Sequence, residues 1–131
     1  LEMSLDVNKT EEEHFEMGKR LAKFGQNGIL FMGSGNMVHN LRNISFDENQ
    51  KPFPWAVKAD LWLKEVIENH EVEKLIYYRE KMPEYRMSIP TDEHFLPLLY
   101  IMGMRAEGQK AGTIYEEIQN GSISMRCIEI G

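Results

Sequence analysis

The feature that most constrains this chain is a four-residue apolar run, Ile29 to Met32, which follows an amphipathic helix pattern and is cut off by Gly33-Ser34-Gly35-Asn36. A run that is apolar at every position has no face to offer to water. As a strand it belongs in a sheet covered on both sides, the parallel kind flanked by helices. Upstream, Thr10 and Glu13 have capping-box spacing, and Glu11 and Glu12 complement the positive end of a helix. Phe15, Gly18, Leu21, Ala22 and Phe24 supply its apolar face, and Asn27-Gly28 supplies a left-handed stop that predicts an end near Gln26. Before the helix, Leu1, Met3, Leu5 and Val7 alternate with Glu2, Ser4 and Asp6, the pattern of a two-faced strand. Strand, helix and strand in this order predict a right-handed crossover and a parallel pair. The expected class is α/β, a mostly parallel sheet flanked by helices.

Downstream, Met37 to Leu41 reads as a short helix, and the polar, proline-containing stretch Asn43 to Pro54 as a surface loop. Apolar spacing predicts helices from Trp55 to about Asn69, from Val72 to Glu80, and from Thr91 to about Met104, with Pro97 near the start of the last. After a Gly-rich loop from Arg105 to Gly112, Thr113–Ile118 and Ser122–Ile130 read as a strand pair. Asn120-Gly121 between them accepts the positive backbone angles of a tight turn.

A length of 131 residues fits one domain, and 42% hydrophobic with 27% charged residues is the composition of a folded protein. A net charge of -6 and scattered Lys and Arg exclude nucleic acid and anionic membrane surfaces as partners, because both demand clustered positive charge. Apolar runs such as Leu96 to Gly103 are too short to span a bilayer, which leads to an expectation of a soluble, cytoplasmic protein. Cys127 is the only cysteine, so no disulfide forms within the chain, and its alternation with Ile123 and Met125 predicts a small buried hydrophobe. A strand at Leu1 to Val7 needs neighbours, and no initiator Met precedes it; a missing N-terminal part is therefore expected.

Of four histidines, His14 lies on a helix beside glutamates and His70 near a helix end, positions with an ordinary structural explanation. His39 follows a glycine loop at the end of an apolar run, and His94 follows a proline break. Ligands of open α/β sheets bind at such loops. Two imidazoles meeting there would suit metal binding or proton transfer near neutral pH. A dinucleotide fingerprint is a poor match for the glycine loop, since Val38 stands where a third glycine belongs.

Three segments carry a resemblance: Gly33-Ser34-Gly35-Asn36-Met37-Val38-His39-Asn40-Leu41, Pro90-Thr91-Asp92-Glu93-His94-Phe95-Leu96-Pro97-Leu98-Leu99-Tyr100, and Gly121-Ser122-Ile123-Ser124-Met125. Together with Glu13-His14-Phe15-Glu16-Met17-Gly18 and Pro54-Trp55-Ala56, they resemble the DOPA-dioxygenase-like branch of the class III extradiol ring-cleavage dioxygenases, over essentially the whole chain. The resemblance implies the C-terminal half of a single catalytic domain about twice this length, with two metal-binding histidines in the absent N-terminal half. His94 matches a metal ligand. His39 matches a position described as the acid/base histidine or as an additional ligand, and both roles are assigned to it. The implied cofactor is Fe(II) for activity, with Zn(II) as another bound metal, and the implied partners are a catechol and O2. The expected activity is aromatic ring opening, with this chain supplying half of the active site. The other possibilities are a split protein assembled from two chains, or an inactive remnant serving as a binding or structural module. An isolated half should also self-associate or bind the half it lacks.

Overall fold

The computed structural model describes residues 1–25, 27–47 and 49–131. Helix α1 spans Glu11–Gly25 and opens with the capping box: the Glu13 amide donates to Thr10 Oγ1 (3.3 Å), and the Thr10 amide to Glu13 Oε2 (2.8 Å). The stop expected near Gln26 lies outside the described residues. Helix α2 spans Pro54–Glu68, with Pro at its first position, where a missing N–H costs nothing. Ala56, Ala59, Leu63, Val66 and Ile67 form its buried stripe, joined by Asp60.

The helix expected from Val72 to Glu80 is two short ones, α3 (Val72–Ile76) and α4 (Tyr78–Lys81), followed by α5 (Tyr85–Ser88). Helix α6 spans Leu96–Met104 and is buried nearly all round, by Leu96, Leu98, Leu99, Tyr100, Met102 and Gly103. It is the centre of the molecule, packed most extensively against α1. That crossing is close because glycine faces backbone on both sides. A Cβ at Gly18 would stand 2.9 Å from the Tyr100 carbonyl carbon, and one at Gly103 3.0 Å from the Lys19 nitrogen. α6 begins five residues later than expected. A helix running through Thr91 would need an N–H at position 97 to bond the Glu93 carbonyl, and Pro97 has none.

The C-terminal hairpin has the expected Asn-Gly turn, with φ 54° at Asn120 and 75° at Gly121. It is broken into two antiparallel pairs: β1 (Ala111–Tyr115) with β4 (Cys127–Ile130), and β2 (Ile118–Gln119) with β3 (Ile123–Ser124). The register slips between Thr113 and Tyr115. The unmatched residue is Ile114 on β1, and the even-numbered residues of the returning strand face inward without a break, so Ser122, Ser124 and Arg126 are buried and Cys127 is exposed. The burial expected for Cys127 is thereby corrected.

Helices and strands are combined in one body, as the α/β class requires. The parallel pair expected of Leu1–Val7 and Ile29–Met32 is not formed, and both segments are unpaired chain. Leu30 is 83% exposed and Met32 87% exposed. An apolar run implies a cover; it does not locate that cover within these residues. The short helix expected at Met37–Leu41 is likewise replaced, by a 3-10 turn at Leu41–Asn43 whose Arg42 amide is capped by Asn40 Oδ1 (3.1 Å). The backbone just before that turn is committed to tertiary bonds.

A buried ion pair ties α2 to the hairpin. Asp60 Oδ2 accepts from Arg126 Nη2 (2.5 Å), and Asp60 Oδ1 accepts from Arg126 Nε (3.0 Å) and Ser124 Oγ (2.6 Å). The Arg126 side chain is 2% exposed and also reaches Thr113 and Glu116. No helix is long and apolar enough to cross a membrane among the described residues.

Candidate metal centre

His39 is held by elements from three parts of the chain. Its amide donates to the Ser88 carbonyl in α5 (2.8 Å), and the carbonyl of Val38 accepts from the Ser124 amide in β3 (2.9 Å). Asn36 Nδ2 donates to the Ser124 carbonyl (2.8 Å), and the Asn36 carbonyl lies 2.9 Å from His39 Nδ1. A carbonyl can only accept, so the ring proton sits on Nδ1 and Nε2 keeps its lone pair.

His94 arrives from the turn before α6, which Asp92 pins in place. The Asp92 carbonyl accepts from the Phe95 and Leu96 amides (2.8 and 2.9 Å); its carboxylate accepts from the Tyr78 hydroxyl (2.9 Å) and pairs with Arg79. Gly35 passes against the backbone of His94, where an added Cβ would lie 2.9 Å from the His94 carbonyl carbon. The glycine is what lets the two loops approach. The rings of His39 and His94 meet edge to face, with centroids 4.8 Å apart.

Glu93 is the third member. Thr91 Oγ1 donates to Glu93 Oε1 at 2.8 Å and lies 3.5 Å from His39 Nε2. A hydroxyl has one proton, and the shorter, charge-assisted bond takes it. The His39 lone pair therefore remains uncommitted. One donor atom from each of His39, Glu93 and His94 lies within 4.8 Å of the other two. His39 is 4% exposed, whereas Glu93 and His94 are exposed.

Burial pushes the His39 imidazole below its ordinary range, against the opposing pull of the Asn36 carbonyl. It is neutral at pH 7. Glu93 is held below the usual carboxylate range, first by its own backbone amide and then by the Thr91 hydroxyl, with both imidazoles adding to the effect. Two imidazoles with one ionised carboxylate fit a divalent transition-metal ion.

The two histidines singled out from sequence are thus side by side. His14 and His70 stay apart from them. His14 is buried, with Nδ1 3.0 Å from the Tyr100 hydroxyl and Nε2 without a partner among the described residues. His70 lies just beyond α2 with φ 57°. The sequence does not single out Glu93, because a helix starting at Thr91 makes it an ordinary acidic residue of the first turn. Pro97 was the available signal, since it takes residues 91–95 off the helix.

A family model described as the catalytic LigB subunit of aromatic ring-opening dioxygenase matches residues 3–125. The chain is 38% identical over 138 residues to a 4,5-DOPA dioxygenase extradiol of Escherichia coli K12, covering all of this chain and 49% of that protein. It is 33% identical to the protein of the same description from Portulaca grandiflora, covering 93% of this chain and 45% of the relative. A crystal structure of an uncharacterized Escherichia coli K12 protein superposes with a TM-score of 0.88 at 35% identity, over 98% of this chain and 53% of that one. The chain spans about half the length of the curated relatives it matches. Its fold corresponds to the C-terminal half of an α/β domain of the extradiol-dioxygenase type.

Proposed function

The chain belongs to the family of the catalytic LigB subunit of aromatic ring-opening dioxygenase, and we propose that, within a complete domain, it opens the ring of a catechol with O2. The observation that carries this reading is the meeting of the free His39 Nε2 with Glu93 and His94 in one open cluster. The relatives named as DOPA dioxygenases make a DOPA-like catechol the substrate class to try first.

His94 acts as a metal ligand. A ferrous ion there would supply a template for both reactants and a relay for electrons from the catechol to O2; zinc, having no redox chemistry, would fill the same donors without that second property. His39, neutral and with its lone pair toward the cluster, joins the ligand set when catechol is absent and takes a hydroxyl proton when catechol is bound. Its fixed tautomer matters for that task. Asn36 holds Nδ1–H, so the ring presents Nε2 without reorienting.

The other half of the domain supplies further ligands and covers the apolar chain left open here. Leu30, Met32 and Val7 are each more than 80% exposed. Leu30 also lines a groove of about 360 Å³, together with Ala22, Ile29, Phe31, Ile101 and Met104 among others. Exposed apolar surface of this kind calls for a partner.

The test is oxygen uptake and a yellow ring-opened product from the complete domain, loaded with Fe(II) without air and given DOPA. Replacing His39 with Ala should lower turnover by about 10²–10⁴, the usual share of a positioned acid/base. Unchanged turnover removes His39 from the mechanism. A folded, metal-loaded complete domain that consumes no oxygen with any catechol leaves a binding module instead.

A further inference from the structure

We infer that Ser122 and Ser124 of the C-terminal hairpin are positioning residues for His39: they grip the backbone on either side of it and so fix the nitrogen that it presents to the cluster. The inference rests on the acid/base reading of His39 above and deepens it, by tracing the placement of that side chain to residues outside the cluster.

A buried serine is ordinarily a small polar group that has found a partner. Both serines here are buried, at 0% and 1% exposure, where a hydroxyl without a bond is costly. What sets them apart is where their bonds go. Ser122 Oγ donates to the Asn40 carbonyl (3.1 Å), and the Ser124 amide donates to the Val38 carbonyl (2.9 Å). The residues before and after His39 are thus both held by β3 and the turn that leads into it. The Ser124 carbonyl accepts from Asn36 Nδ2 (2.8 Å), and Asn36 offers its own carbonyl to His39 Nδ1 (2.9 Å). That last contact selects the tautomer, so the position of Ser124 reaches the ring itself.

The hairpin does not hold this position unaided. The pair β2–β3 has two residues in each strand, too few to be stable alone. Ser124 Oγ donates to Asp60 Oδ1 (2.6 Å) and accepts from the Arg126 amide (3.2 Å), and Asp60 sits in the middle of α2, a 15-residue helix of the core. Arg126 grips the same carboxylate through Nε and Nη2. A buried charge pair adds little net stability over apolar residues of similar size, whereas a satisfied buried network imposes rigidity and one defined geometry. Here the rigidity runs from α2 through Asp60 and Ser124 to Asn36 and Val38. On the opposite side α5 completes the clamp: the Ser88 carbonyl accepts from the His39 amide (2.8 Å) and the Met87 carbonyl from Asn40 Nδ2 (2.7 Å). Each of the three consecutive residues Val38, His39 and Asn40 is therefore bonded to another element.

The experiment reads the His39 ring by heteronuclear NMR of the histidine-labelled, metal-free complete domain, which distinguishes the Nδ1–H from the Nε2–H tautomer. Oxygen uptake of the Fe(II)-loaded domain with DOPA supplies kcat and KM alongside. The unaltered domain should show the Nδ1–H form alone. Ser124→Ala should bring in the Nε2–H form and lower kcat by about 10- to 100-fold with KM little changed, the upper figure being the cost of a misplacement of roughly 1 Å. Ser122→Ala should lower kcat in the same direction, and it is read in the same way if Ser124→Ala does not fold. Asp60→Asn keeps an oxygen for the Ser124 hydroxyl. Combined with Arg126→Leu, so that no buried charge is left unpaired, it should retain the single tautomer; mixed tautomers there would overturn the link through Asp60. Ile67→Val, fully buried and about two turns further along α2, is the structural control. It should lower the urea midpoint and leave tautomer and kcat unaltered.

A Ser124→Ala domain with a single tautomer and unaltered kcat, beside a His39→Ala domain that has lost turnover, overturns the role of the serines and leaves the reading of His39 intact. If His39→Ala itself keeps full turnover, the acid/base reading falls and the inference falls with it. If Ile67→Val mixes the tautomers as Ser124→Ala does, the effect is general loosening, and the positioning role is overturned.

Discussion

Replacing Gly35 with Ala should damage the site more than its fold. The new Cβ would lie 2.9 Å from both the carbonyl carbon and the Cα of His94, and closer still to the carbonyl oxygen, where ordinary contacts begin at 3.4 Å. Backbone cannot rotate aside, so the two loops must part by at least half an ångström. Residues 36–39 are anchored on Ser88 and Ser124, which sends that displacement into the gap between His39 and His94. Overpacking of this kind costs about 1–3 kcal/mol. With a urea slope of roughly 2 kcal/mol per molar, the midpoint should fall by about 1 M. The Co(II) affinity should fall by about tenfold or more, because the donors no longer meet. Gly33→Ala is the control: its nearest obstacle is the Ile101 side chain at 2.9 Å, which can yield, and the Pro97 carbonyl oxygen at 3.0 Å need shift by only a few tenths of an ångström, away from His39 and His94, so its effect on Co(II) should be smaller. A Gly35→Ala chain with unaltered midpoint and unaltered Co(II) affinity would refute the close-approach argument.

Asp60→Ala should be among the most destabilising exchanges, by about 3–5 kcal/mol in urea unfolding, because it strips its main partner from an arginine that is 2% exposed. A loss under about 1 kcal/mol would show that Thr113 and Glu116 suffice to hold Arg126. Stability should also fall with acidification through His14. Burial lowers the folded-state pKa of this histidine below its ordinary value of 6.5, so the unfolded chain binds the proton first. The contribution is therefore complete above about pH 6.5 and is lost as pH drops below it. Urea midpoints at pH 7.5 and 5.5 should differ less in His14→Gln than in the unaltered chain, and an equal difference would clear His14 of the effect.

Local signals in the sequence determine structure where the cause lies within a few residues. The Thr10–Glu13 box starts α1, Pro54 opens α2, and Asn120-Gly121 makes the turn. The pairing of His39 with His94 was legible from the loops that carry them. Features set by distant partners were not. The unpaired state of Ile29–Met32 depends on what would cover it, and the exposure of Cys127 follows from Asp60 on α2 drawing Ser124 and Arg126 to the inner face. Glu93 was hidden by a helix boundary. The pattern continues apolar through Phe95 and Leu96, and only the missing N–H of Pro97 moves the start of α6 past it.

The bond between Asn36 and Ser124 joins residues 88 positions apart. On a ribosome adding about 5–20 residues per second, the loop carrying His39 would wait roughly 4–18 s for the strand that anchors it. During that interval the buried Met37 and Val38 have no roof, and the imidazole of His39 is free to present either nitrogen. A nascent chain therefore cannot give the site its final geometry until the hairpin emerges.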